Sequence, residues 1–174
     1  MHYQKWVILK LFFKILFTDN MTFKAVFTNE NNEDFIELAK ELWDEYYENV
    51  GDKVNKYKEV NNLEGEHFVI LILDENSENN SSIACGSFKE LSSDTVEIKR
   101  VFVKKPYRNK ELATFIMKKL EKEAKNRNYD FSVLVTGITN LPSQTFYKKL
   151  GYDIVEGFGF FKGDSDSISF KKRL

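Results

Sequence analysis

The sequence is poor in the residues on which several kinds of protein chemistry depend. It has 1 cysteine, Cys85, and 2 histidines, His2 and His67, in 174 residues. A single cysteine cannot form an internal disulfide, and no cysteine–histidine spacing resembles a zinc site, so we predict neither a disulfide framework nor a metal. With so little histidine, a histidine-based catalytic triad is also disfavoured. These absences favour a reducing compartment, and we expect a cytoplasmic protein.

An excess of charge of one sign is lacking too. The chain has 26 Lys and Arg against 27 Asp and Glu, for a formal net charge of −1. This balance predicts no broad basic surface for nucleic acid or for an anionic membrane. The composition is 42% hydrophobic and 15% aromatic, which is ample for a core, and the length suits one domain.

The first 20 residues differ from the rest of the chain. Residues 6–17 are dense in apolar side chains but include Lys10 and Lys14. A membrane-spanning helix needs roughly 20 apolar residues, and no small-residue cleavage site follows, so neither a span nor a signal peptide is predicted. Three interpretations stay open: a docking helix, an upstream extension with Met21 as the true start, or, least favoured, a membrane-surface anchor. We therefore separate an N-terminal apolar extension, residues 1–20, from a domain at residues 21–174.

Hydrophobic periodicity in the domain predicts an α/β fold. Apolar residues recur with helical spacing from Phe35 to Tyr47, and alternation of period two marks several strands. The predicted strands are residues 23–28, 67–73, 83–91, 95–103, 131–135, 152–155 and 167–170. Helices are predicted after Asn32, more weakly over residues 54–60, after Pro106, and over residues 142–150. This order indicates a central, mixed, twisted sheet of about six or seven strands flanked by helices.

The predicted strand at residues 95–103 allows side chains to be assigned to the two faces of the sheet. Simple alternation places Val96, Ile98, Arg100 and Phe102 on one face. The opposite face then carries Glu97, Lys99, Val101 and Val103.

Two sequence motifs bear on function. The first is VFV at residues 101–103, followed by PYRNKELA at residues 106–113, which opens a helix. The second is NLPSQTFYKKLGY at residues 140–152. Together and in this order, the two motifs resemble the GCN5-related N-acetyltransferase (GNAT) family. In the first motif Arg108 and Ala113 match the family pattern, whereas Glu111 stands where the family has glycine.

The resemblance implies the acyl-CoA N-acyltransferase fold and a coenzyme A site at the first motif. A loop that leads into a helix N-terminus binds anions, because the first N–H groups of the helix have no helical partner. By resemblance, the backbone of Val101 and Val103 would bond the pantetheine arm. The implied cofactor-binding residues are Val101, Phe102, Val103, Arg108, Asn109, Lys110, Glu111, Leu112, Ala113, Thr114, Asn140 and Tyr147.

Glu111 has two interpretations at its position in this loop. It could weaken binding of the pyrophosphate through its bulk and like charge, or it could stabilise the helix start. Asn109, also often glycine in the family, is a milder departure, because asparagine tolerates positive φ.

The resemblance also implies catalytic roles. Tyr147 would donate to the coenzyme A sulfur as general acid, and Glu97 would be a general base. Alternatively, Tyr147 is an aromatic anchor and Glu97 is an ion-pair partner of Lys99. Asn140 would bind pantetheine, or it caps a helix.

The implied activity is transfer of acetyl from acetyl-CoA to a primary amine, by direct attack in a ternary complex and without metal. The acceptor could be a small molecule or a protein, and neither nucleic acid nor membrane is an expected partner. The alternative is a non-catalytic acyl-CoA-binding or protein-interaction module with a degenerate phosphate loop. The apolar extension would also be compatible with a homodimer.

Overall fold

The computed structural model describes residues 13–16, 22–77 and 79–174, of which residues 13–16 are described by their backbone only. The strands are β1 Phe13–Leu16, β2 Thr22–Thr28, β3 Phe68–Asp74, β4 Ser82–Ser92, β5 Thr95–Val103, β6 Phe131–Gly137, β7 Asp153–Val155 and β8 Ser167–Arg173. The α-helices are α1 Glu33–Val50, α2 Leu112–Asn126 and α3 Leu141–Lys149. Short 3-10 helices cover Gly51–Tyr57, Lys105–Tyr107 and Gly159–Phe161. The α/β fold class is thus confirmed.

The strands form one mixed sheet in the order β1-β2-β3-β4-β5-β6-β8-β7. Only β5 and β6 are parallel, and the other neighbours within the described ranges are antiparallel. The sheet has 8 strands rather than six or seven because β1 comes from the segment set aside as an extension. For residues 13–16 the docking-helix interpretation is therefore wrong. The other residues of that segment lie outside the described ranges, and whether it belongs to the native protein stays an open prediction.

Helix α1 covers one face of the sheet. It begins where predicted, because the side chain of Asn32 accepts a hydrogen bond from the N–H of Phe35 at 3.1 Å and acidic residues fill the first turn. Its buried side chains include Phe35 and Leu38, which pack on Leu71 and Phe102 of the sheet.

Helix α2 covers the opposite face, and one glycine sets how close it lies. A Cβ added at Gly86 would lie 2.4 Å from Cγ2 of Ile116 and 3.1 Å from Cδ1 of Leu120. The helix therefore packs directly on the backbone of β4. Within the described ranges, no helix is both long and apolar enough to cross a bilayer.

A β-bulge interrupts β5. Cys85 of β4 lies opposite Phe102, but Ser87 lies opposite Lys99, so Arg100 and Val101 both face Gly86. Arg100 has φ 57°, the left-handed region that such bulges usually assign to glycine.

The bulge overturns the predicted faces of the outer half of β5. Val101 and Val103 pack in the same core cluster as Val96 and Ile98, on the α2 side of the sheet. Phe102 instead packs under α1. The strand prediction is confirmed, but strict alternation is wrong after Lys99 because one extra residue reverses the side-chain phase.

The parallel pair β5–β6 is closed at one end and open at the other. Residues 95–97 pair with residues 131–133, and among the described residues of these two strands no pairing follows beyond Glu97. The two strands diverge from there, and residues 98–103 keep only β4 as a partner strand. This divergence opens a cleft in the middle of the sheet.

Candidate active site

A cavity of about 220 Å³ lies in the cleft. It is bounded by α1, the Gly51–Tyr57 helix, the diverging ends of β5 and β6, and the start of α3. Its polar lining includes Tyr46, Glu97, Arg100, Asn140 and Tyr147. The volume is below the roughly 300–1,000 Å³ of drug-sized pockets, so it suits a small group or molecule.

The loop before α2 carries free main-chain donors. Within the part of the chain that the structure describes, the N–H groups of residues 109–114 have no hydrogen-bond partner, and Phe115 makes the first helical bond, to Glu111. Asn109 and Glu111 both have left-handed backbone, at φ 62° and 55°. Successive N–H groups in such turns form a concave anion site, and the positive end of the helix dipole adds to it. The predicted phosphate loop therefore has a suitable shape.

Glu111 keeps the backbone of the glycine that it replaces. It is the N-cap residue of α2, its side chain makes no capping hydrogen bond, and it is exposed. A non-glycine residue in this region is strained by about 1–2 kcal/mol. The suggestion that Glu111 stabilises the helix start therefore has no support from a capping bond.

Arg108 binds protein groups rather than standing free for an anion. Its Nη2 donates to both carboxylate oxygens of Glu45, at 2.9 and 2.7 Å, and its Nε donates to the carbonyl of Val103 at 2.9 Å. The arginine thus joins α1, the end of β5 and the loop. Its predicted contact with the cofactor remains a prediction, and the loop itself offers main-chain donors.

The outer half of β5 offers main chain along a free strand edge. Residues 98–103 face the cleft without a partner strand on the β6 side. The Val103 carbonyl is already used by Arg108, and the Phe102 ring is buried under α1. An extended ligand would meet chiefly the backbone around Val101 here.

Tyr147 lies on the cavity wall in a fixed aromatic cluster. Its ring centroid is 5.2 Å from that of Phe146, 6.1 Å from Tyr152 and 5.9 Å from Phe170. Burial raises the pKa of Tyr147 to about 12. Its hydroxyl makes no hydrogen bond within the described ranges, so the packing anchors the ring and leaves a protonated donor free.

Glu97 is buried and ion-paired. Its Oε1 lies 3.1 Å from Nζ of Lys99, which also donates to the Val60 carbonyl at 2.9 Å. Burial lowers the pKa of Lys99, and the Glu97 carboxylate opposes this shift. The ion-pair interpretation of Glu97 is thus observed, while its place in the cavity lining leaves the base role as a prediction.

Asn140 caps α3, as its alternative interpretation predicts. Its Oδ1 accepts from the N–H of Ser143 at 3.2 Å, and the residue also lines the cavity. Both roles are compatible, because the carboxamide N–H₂ group keeps its donors.

Sequence reasoning missed Arg100 and Tyr57 as residues of the cavity lining. Arg100 enters the cavity lining, although it was placed only on an apolar strand face. A lone charge in an otherwise apolar stripe was the signal that could have found it. Tyr46 and Tyr57 also line the cavity, but helical periodicity cannot separate such residues from core aromatics.

A model of the Acetyltransferase (GNAT) family matches residues 35–152 of the chain. An uncharacterized N-acetyltransferase of Dictyostelium discoideum is 30% identical over 76 residues, which are 44% of this chain. Those residues span 35% of that relative, about a third of its length.

Solved structures show the same fold at low identity. An acetyltransferase of the GNAT family from Staphylococcus aureus has a TM-score of 0.66 at 18% identity, over 86% of this chain and 99% of that one. An N-acetyltransferase from Thermoplasma acidophilum, in complex with coenzyme A, has a TM-score of 0.64 at 17% identity, over 85% and 99% of the two chains. With a family model that covers well over half of its residues, this chain belongs to the Acetyltransferase (GNAT) family.

Proposed function

We propose that the protein transfers the acetyl group of acetyl-CoA to a primary amine, by direct attack in a ternary complex. The observation that carries the proposal is the run of unpartnered N–H groups at residues 109–114, next to the free edge of β5. Such donors at the N-terminus of a 15-residue helix favour a phosphate-bearing ligand.

The pyrophosphate of coenzyme A would lie against residues 109–114. The pantetheine arm would then extend along β5 towards the cavity, bonded to the main chain near Val101 and to the side chain of Asn140. This direction brings the thioester towards Tyr147. The coenzyme A in the Thermoplasma relative supports the choice of ligand by analogy.

The reaction needs few catalytic groups beyond those that position the two substrates. The neutral amine attacks the thioester carbonyl carbon, the C–N bond forms, and the C–S bond breaks. Tyr147 is protonated at neutral pH, as its raised pKa ensures with a wide margin, and donates its proton to the departing sulfur. Glu97, directly or through water, accepts the proton that the amine loses. Holding both substrates together supplies much of the rate.

The acceptor is a small-molecule or protein amine rather than nucleic acid, no metal takes part, and the protein acts in the cytoplasm. A homodimer also remains a prediction.

Calorimetric titration with acetyl-CoA, and with free coenzyme A alongside, tests the proposal. We expect micromolar binding, which corresponds to roughly −8 kcal/mol. Thr114→Glu adds a carboxylate to the first turn of α2, next to the N-cap Glu111, where it favours the helix but repels pyrophosphate, so affinity should fall at least ~10-fold. Thr145→Glu makes the same change on the exposed part of α3 and should bind normally. Absence of binding by the wild-type protein at millimolar acetyl-CoA would refute the enzyme and favour a protein-interaction module.

A further inference from the structure

The side chain of Arg100 is partly buried, and its guanidinium has no partner among the described residues. Its Nε is inaccessible to solvent and makes no hydrogen bond. Within the described ranges, none of its nitrogens forms an ion pair or a hydrogen bond, in contrast to Arg108. Burial lowers the pKa of Arg100, but an arginine stays charged in proteins. A partly buried charge without a partner favours an anion beside it, and the described residues do not supply one.

Arg100 lies in the wall between two cavities. The first is the cavity that Tyr147 lines, and the second, of about 250 Å³, lies between α1 and residues 58–63. Arg100, Trp43 and Asn61 line both. A group bound at Arg100 would therefore be beside the space where the acceptor amine must lie.

The charges around Arg100 leave its own charge uncompensated. The lining of the second cavity includes Lys40 and Lys58 but no carboxylate. The first cavity is lined by two carboxylates, of which Glu97 is paired with Lys99 and Glu45 with Arg108. The surroundings thus favour an anionic ligand group over a second cation.

The backbone at Arg100 is also unusual. Its φ of 57° places a non-glycine residue in the left-handed region, at the bulge of the central strand. Strain of this kind persists where the surrounding structure enforces it, and it is concentrated at functional sites. The bulge turns Arg100 towards the α1 side, where both cavities lie.

We propose that Arg100 binds a carboxylate of the acceptor, so that the acceptor is a small amino-carboxylate rather than a simple amine or polyamine. A guanidinium binds a carboxylate through two parallel hydrogen bonds, which fixes orientation as well as charge. The small volume of the cavity suits a molecule of amino-acid size. This inference rests on the proposed acetyl transfer, of which it specifies the acceptor class.

Kinetics with matched acceptors test the assignment. The panel pairs amino acids with amines that lack the carboxylate: phenylalanine with phenylethylamine, lysine with cadaverine, and each amino acid with its amide. We expect kcat/KM to favour at least one free acid over its partners by about 10- to 100-fold, chiefly through KM. In Arg100→Met, which keeps an unbranched apolar stem, this preference should collapse.

The matched control is Lys125→Met, which removes the same charge from an exposed position on α2 and should keep the preference. If wild-type protein acetylates amines and acids equally well, the inference fails while the acetyltransferase proposal stands.

A binding assay separates the two proposals when no acetylation is seen. Saturating phenylalanine or lysine should raise the thermal midpoint of wild-type protein by a few degrees more than the corresponding amine does, and this gain should vanish in Arg100→Met. That result would uphold the carboxylate site even if acetyl-CoA did not bind. Without ligand, Arg100→Met should melt no lower than wild type, because it removes an unpaired, partly buried charge and keeps the apolar stem. A lower midpoint, or no carboxylate-dependent shift in either protein, would overturn the inference.

Discussion

On the cofactor side of the cleft, the groups available to the proposed phosphates are main-chain N–H groups, whereas the acceptor side is built from side chains. The former belong to one continuous stretch, residues 109–114. The latter come from three parts of the chain that are distant in sequence: α1 with the adjoining Gly51–Tyr57 helix, β5, and the segment before β8. The difference explains how glutamate can replace glycine in the loop with the backbone shape intact, and it predicts that changing a single side chain such as Arg100 would change the acceptor.

The acceptor side is joined by one ionic network. Lys56 Nζ lies 2.7 Å from Oδ1 of Asp164 and 2.6 Å from Oδ2 of Asp166, and Tyr57 donates its hydroxyl proton to Asp164 at 2.6 Å. These bonds connect residues more than a hundred positions apart. They hold the Gly51–Tyr57 helix against the segment that leads into β8.

The largest expected effect is at Tyr147, where the two sides meet. Tyr147→Phe keeps the aromatic packing but removes the free hydroxyl, so we expect kcat to fall about 100-fold with little change in acetyl-CoA affinity. Tyr129→Phe, which removes a hydroxyl bound to Glu90 away from the cavity, is the control and should keep kcat. Steady-state kinetics and calorimetry measure both quantities. An unchanged kcat in Tyr147→Phe would leave Tyr147 as an aromatic anchor only.

The next largest effect is expected at Gly86, where α2, the helix next to the proposed cofactor site, packs on β4. Gly86→Ala would force its Cβ against Cγ2 of Ile116, so we expect the free energy of unfolding to fall by about 1–3 kcal/mol. Urea denaturation measures the loss. In the Ile116→Ala background the same change should cost less, because the clash is gone, and a strictly additive double mutant would contradict this explanation.

A smaller, pH-dependent effect is expected on the acceptor side. Burial alone would raise the pKa of Asp164, but hydrogen bonds from Lys56 and Tyr57 outweigh it and hold the pKa below the ordinary value. The folded-state pKa thus lies below the unfolded value of about 3.9, so the carboxylate adds stability above pH 4 that is lost as the pH falls further. Asp164→Asn should lower the urea midpoint at pH 7, and the difference from wild type should shrink below pH 4. A difference independent of pH would show that the network contributes nothing through ionisation.

The smallest effect tests the tolerance of the loop. Glu111→Gly should raise the free energy of unfolding by about 0.5–1 kcal/mol, because the strain of its left-handed backbone is larger than the entropic cost of glycine. Acetyl-CoA affinity should rise a few-fold as the carboxylate is removed. Asn109→Gly is the matched control, and its effect should be only a few tenths of a kcal/mol, since asparagine adopts this region readily. An equal effect at both positions would mean that the side chain of Glu111 has no special cost.

Local signals explain what could be predicted from the sequence. The stripe from Phe35 onwards, the Asn32 cap and the glycine after α3 are short-range features, and the structure has them where expected. The proposed phosphate loop could be predicted from the sequence for the same reason, because its main-chain N–H donors are consecutive in the chain. The bulge at Arg100 depends on the partner strand, and the Arg108–Glu45 pair joins residues 63 positions apart. Neither feature produces a periodic pattern in the sequence, so neither could be predicted from it.

The bulge reverses the alternation of side chains between the two faces of the sheet halfway along β5, so the positions that tolerate polar substitution differ before and after it. Before it, the positions that accept no polar side chain on the α2 side are Val96 and Ile98, and after it they are Val101 and Val103. A family alignment that treats this strand as one uninterrupted ladder would therefore score its outer half on the wrong face. Removing a single residue at the bulge would bring the two halves into step, and we expect it also to turn the cleft edge of the strand away from the proposed ligand.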